Sequence, residues 1–185
     1  MALCSDKDII AAGSEVDAVN DFYGSFLWAV FPIDDDFMPT FWSPAIETPA
    51  SQEAPDVVFR RVSSALAEKT TLTHVVLCCA RTRDLDGRPT VWDEILDIAV
   101  PVAMKVRGDE DHDPGQSLFL TVHVGAHSRF YELPGGADTA RDWAPARGRT
   151  CELAEDEKAV WELWLQMREL ALQHSEQHAM RSIAE

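Results

Sequence analysis

Glu94, His127, Arg129 and Tyr131 are the residues whose types and spacing could do chemistry in this chain. A carboxylate and an imidazole exchange protons. A guanidinium and a phenol bind and polarise oxygen atoms in a partly dry pocket. The spacing of residues 92–106 places the first of them. Trp92, Glu94, Leu96, Ile98, Val100, Val102, Met104 and Val106 fall on even positions, and Asp93, Asp97 and Lys105 on odd ones. Period-two alternation predicts a strand with one buried face. Glu94 then points where Leu or Val would stand, and a buried carboxylate is costly unless paired or hydrogen-bonded. A helix over 90–99 also fits, because Val91, Ile95 and Ala99 recur at period 3.6. The strand is preferred for the length of its alternation and its β-branched side chains.

A hairpin supplies the other three groups. Residues 117–124 and 127–133 flank Gly125 and Ala126, and a two-residue turn pairs Val124 with His127, Val122 with Arg129, Leu120 with Tyr131 and Leu118 with Leu133. One side of the hairpin then shows His127, Arg129 and Tyr131 among aliphatic residues. If Glu94 shares that side, it serves as general acid or base and His127 as a second proton carrier. Arg129 and Tyr131 bind the substrate. Burial would raise the pKa of Glu94 and an Arg129 neighbour would lower it. The competing reading is a structural Glu–Arg pair at the end of the sheet. A one-residue slip would move His127 and Arg129 into solvent.

Other constellations carry less. Phe41 and Trp42 could cover a ligand or anchor a partner. His74 and His123 lie on predicted strands and read as hydrogen-bonded core histidines. Asp109, Asp111 and Asp113 have calcium-loop spacing, but Pro114 stands in the glycine position and Leu120 where a glutamate is required. His174 and His178 are four apart, yet Ser175 follows the first, so HExxH is excluded. No phosphate-binding glycine loop, dinucleotide fingerprint or GxSxG elbow is present. No metal and no cofactor are expected. Cys4, Cys78, Cys79 and Cys151 show no zinc spacing or disulfide framework and read as reduced thiols.

The elements that must position these groups follow from pattern. Ser14 and Asp17 open a helix whose apolar residues run from Val16 to Val30, and Pro32 ends it. Residues 32–55 hold Pro32, Pro39, Pro44, Pro49 and Pro55 with the triplet Asp34, Asp35 and Asp36, which predicts a lid or crossing segment. Residues 56–69 read as a second helix and 73–82 as a strand. A long helix from about Glu155 carries Val160, Leu163, Trp164, Met167, Leu170 and Ala171 on one stripe and Trp161, Leu165 and Leu172 on another. The expected fold is a single α+β domain over residues 1–185. N-terminal helices, a curved and mainly antiparallel sheet of about four strands, and a C-terminal helix over 155–185 compose it. The outline resembles the cone-shaped folds, such as the NTF2-like group, whose helices close one side of a bent sheet around a pocket. The prominent C-terminal helix departs from that pattern.

Composition bounds the function. The 185 residues hold 32 acidic and 16 basic side chains, a formal charge of −16. Such a field repels phosphates and anionic lipid, so neither nucleic acid nor membrane is an expected partner. The first residues lack a basic n-region and a long apolar core, which argues against a signal peptide and for the cytoplasm. Two functions remain. One is a small-molecule-binding protein, extending to cofactor-free isomerase, dehydratase or cyclase chemistry. The other is an acidic interaction module, such as an inhibitor, immunity-type or adaptor protein, that binds a basic protein. A homodimer through the C-terminal helix fits both.

Overall fold

The computed structural model describes residues 14–42, 56–65, 71–81, 91–108 and 115–184. Helix α1 (Val16–Val30) leads through a 3-10 turn (Ile33–Asp35) into β1 (Phe37–Trp42), β2 (Asp56–Ala65) and β3 (Thr71–Arg81). Helix α2 (Val91–Gly108) crosses over to β4 (Leu118–Val124) and β5 (His127–Leu133). Two short strands, β6 (Arg141–Asp142) and β7 (Cys151–Glu152), precede α3 (Leu153–Ala184). The class is α+β, as expected, but the sheet is larger and mixed. Its seven strands run β1-β2-β3-β4-β5-β6, with β7 also paired to β5. Among the described strands, all pairings are antiparallel except β3 with β4.

Both faces of the sheet are covered. Val75, Leu77, Cys79, Phe119 and Phe130 face α1 and α3, and join Tyr23, Leu27, Val30, Leu163, Trp164 and Met167 in one core. Val76, Cys78, Ala80, Leu118, Leu120 and Val122 face α2, with Ile95, Ala99, Val102 and Val106, in a second. Alternate residues of β3 thus serve opposite cores, the signature of a strand buried on both sides. Helices on both faces distinguish this arrangement from a cone closed on one side.

Several expectations are corrected. Residues 56–65 form a strand, not a helix: Val58, Val62 and Ala65 fit a period near 3.6, but pairing with β1 and β3 decides their state. Residues 91–108 form a helix, not a strand, with Pro101 inside it on the exposed side. The proline-rich segment supplies an outer strand, β1, rather than a lid over Phe37–Trp42, while 43–55 lie outside the described residues. The calcium-like residues Asp109, Asp111 and Asp113 also lie outside them.

The cap of α1 falls one residue beyond the expected Ser14, at Glu15, whose carbonyl accepts the Ala18 and Val19 amides. The hairpin has the expected register throughout. Gly125, at φ 56°, takes the first central position of its turn, where a left-handed residue matches the twist of the strands. The C-terminal helix is also present. Val160, Leu163, Trp164, Met167 and Ala171 are buried on it, and Trp161, Leu165, Leu170 and Leu172 are half-buried.

Candidate functional site

The predicted acid–base set assembles only in part. His127, Arg129 and Tyr131 alternate along β5 opposite Val124, Val122 and Leu120, on the face that α2 covers. Glu94 does not join them: it lies on the exposed side of α2, in its first turn. The helix brings Trp92 instead, whose ring stacks on the Arg129 guanidinium at 5.0 Å. Arg129 Nε donates to Thr150 Oγ1 at 2.7 Å.

Tyr131 is buried, and burial pushes its phenol pKa up. A hydrogen bond with Arg129 and its positive charge pull the other way, while Asp142 and Asp93 add to the rise. The carboxylate of α2 whose charge reaches this phenol is therefore Asp93. His127 Nε2 lies 4.0 Å from Glu152 Oε2, and its Nδ1 is buried without a partner. Trp92, Asp93, Asp142 and Thr150 are absent from the sequence-based set. The helical alternative for 90–99 is the signal that would have brought Trp92 and Asp93 forward.

The opposite face hides two polar threads. His123, fully buried on β4, accepts or donates through Nδ1 to Ser128 Oγ at 2.8 Å, and Ser128 meets Tyr23 Oη of α1 at 3.1 Å. Its ring packs on Tyr23 at 3.8 Å and stacks nearly parallel to Trp164 at 5.8 Å. Burial pushes the His123 pKa down to about 3, so the ring is neutral at ordinary pH.

The second thread centres on His74, which has no Cα partner in the β2–β3 register. Val62 pairs with Val75 and Ser63 with Thr73. A bulge of this kind re-aims a side chain, and here His74 meets Phe37 and α3. His74 Nε2 lies 2.8 Å from Ser64 Oγ and 3.2 Å from Ser175 Oγ. Gln116 Nε2 lies 3.5 Å from His74 Nδ1 and 3.1 Å from His174 Nδ1. These threads join helices to the sheet. Cys78, Cys79 and Cys151 are free and buried, and burial raises each thiol pKa, which disfavours the nucleophilic thiolate.

The α1–β1 edge exposes apolar side chains. Among the described residues, the exposed large apolar side chains are Trp28 (44%), Ile33 (62%), Phe41 (58%) and Met180 (70%). The first three stand on α1, the 3-10 turn and β1, which are consecutive elements. Asp21, Asp34 and Asp36 are exposed beside them. Arg60 of β2 clamps the edge together. Its guanidinium donates to Asn20 Oδ1 at 2.7 Å, lies 3.6 Å from Asp21 and sits 5.9 Å from the Phe41 ring. It also fills the space above Gly24, where a Cβ would come within 2.6 Å of it. Asn20, Gly24 and Trp28 lie one turn apart on a single helix stripe, so Trp28 belongs to the side of α1 that meets this clamp. Arg168 of α3 pairs with Asp35 and ties down the turn that presents Ile33. The side chain of Trp42 lies outside the described residues.

Among the described residues, no three His, Cys, Asp or Glu side chains gather to hold a metal ion. No helix among them is long and apolar enough to cross a membrane. No protein-family model matches the chain, and no curated protein matches it. Among solved structures, the crystal structure of a sex pheromone staph-cAM373 precursor is similar in outline. It gives a TM-score of 0.44 at 8% sequence identity, over 78% of this chain and 56% of that one. The present chain thus matches little more than half of that protein's length, and a likeness of this size carries no functional argument.

Proposed function

We propose that this protein is an acidic interaction module whose α1–β1 edge binds a basic protein partner carrying apolar side chains. One observation supports the reading most: Trp28, Ile33 and Phe41 are exposed on consecutive elements with Asp21, Asp34 and Asp36 around them. An apolar centre with a charged rim is the anatomy of a binding surface, and Trp is enriched among its anchors. β1 is the outer strand of the described sheet and adds backbone hydrogen-bonding groups to the same edge. The chain's charge of −16 steers a basic partner toward it.

The test is a binding screen with immobilised peptides that combine Lys or Arg with aromatic or aliphatic residues. Phe41→Asp should weaken the selected binders about 30-fold, the effect of losing one strong anchor. Added salt should weaken them further. Binding that ignores both the substitution and salt would sink the reading.

A second function is favoured by a separate observation. Arg129 is half-buried under Trp92, and no carboxylate among the described residues forms an ion pair with it. A small molecule bearing a carboxylate or phosphate would complete that charge, with Tyr131 and His127 as neighbours. Titration of such compounds against the protein and Arg129→Ala separates this reading from the first. Binding that is equal in both proteins counts against it.

A further inference from the structure

The core beneath α1 and α3 contains three polar atoms that lack partners: Thr121 Oγ1, His123 Nε2 and Trp164 Nε1. All three residues are fully buried. They are also neighbours. Thr121 and His123 stand two apart on β4 and point to one face. Trp164 of α3 stacks on the His123 ring. Phe130, the cross-strand partner of Thr121, packs edge-on against both Trp164, at 5.8 Å, and His123, at 6.3 Å. Three orphaned groups on one face of the sheet, two of them on stacked rings, are unusual, because buried polar atoms are almost always paired.

We propose that Thr121, His123 and Trp164 share one internal water molecule, bound between β4 and α3. The donor inventory fits that guest. The Trp164 indole can only donate, the neutral His123 ring offers one N–H or one lone pair, and the Thr121 hydroxyl does either. A water oxygen accepts two donors and returns two protons, so it can satisfy all three groups at once. An anion would need a compensating charge, and the neutral imidazole supplies none. Holding one water costs less than leaving three polar atoms unpaired.

Thr121→Val tests the site, because it keeps the side-chain shape and deletes only the hydroxyl. With a shared water, the variant strands that water and its other partners, and the folding equilibrium constant falls about fivefold. With no water, the variant sheds an unpaired buried hydroxyl and the constant rises, which overturns the proposal. Crystallography of the unsubstituted full chain gives a second and independent reading. An oxygen peak within hydrogen-bond reach of Trp164 Nε1 and His123 Nε2 supports the site. An unbroken apolar contact there, with no peak, overturns it.

Discussion

The two faces of the sheet are held by different forces. Under α2 the middle of the interface is aliphatic: Val76, Cys78, Leu120 and Val122 meet Ile95, Ala99 and Val102. Its polar groups stand toward the ends. Arg129 and Tyr131 meet the start of the helix, and Arg107 in its last turn donates to the Leu133 and Ala137 carbonyls. Under α1 and α3 the polar threads run through the core itself, from Tyr23 to Ser128 to His123, and from Ser64 to His74 to Ser175. Apolar burial is non-directional and tolerates sliding. A buried hydrogen bond is directional and costly to break. The difference teaches that area holds α2 in place, whereas α1 and α3 are also locked in register.

The largest expected effect tests the packing of the threaded face. Trp164→Ala should cost about 3–5 kcal/mol, because a fully buried ring that packs on both α1 and β4 is lost. Urea denaturation measures it, and a cost below about 1 kcal/mol would mean that this ring does not hold the threaded face.

The next effect is a pH slope. The folded pKa of His123 is pushed far below its unfolded value near 6.5, so protons bind the unfolded chain first. Stability from this group is complete above about pH 6.5 and drains as pH falls toward about 3. The loss amounts to about 1.5 kcal/mol between pH 6.5 and pH 5. His123→Phe should flatten that window. An unchanged slope would assign the acid sensitivity to other groups.

Ser175→Ala should cost about 1 kcal/mol and speed amide exchange in the second half of α3 without affecting α2. If exchange rises equally in both helices, the lock is not local. The smallest effect belongs to the outer side of α2. Glu94→Gln should change stability by less than about 0.5 kcal/mol. A larger loss would mean that this exposed carboxylate has a partner.

The hairpin was legible in the sequence to the residue, because a two-residue turn and alternating strands determine each other. Both terminal helices were legible too, since their apolar stripes are long and Pro32 stops the first of them sharply. Two middle elements were exchanged. Residues 91–108 carry Val and Ile at positions that satisfy both periods, and a burial stripe at Ile95, Ala99, Val102 and Val106 decides for the helix only once the sheet is present. Residues 56–65 have one apolar spacing near four, and the long-range pairing to β3 overrides it. Strand periodicity over α2 turns Glu94 inward and Asp93 outward, whereas the helix exposes both. Periodicity alone also gave no sign that a bulge turns His74 toward α3.

The parallel pairing of β3 with β4 joins two parts of the described sheet, each of them local in sequence. The meander β1–β2–β3 and the hairpin β4–β5 join strands that are near in sequence. The seam between them pairs strands that are far apart in sequence, at an entropy cost that grows with the length of the connection. In kinetic terms the chain is two local nuclei and one late junction. Substitutions at Val76 or Leu120 should then speed unfolding more than they slow folding, and substitutions at the Gly125 turn should do the reverse.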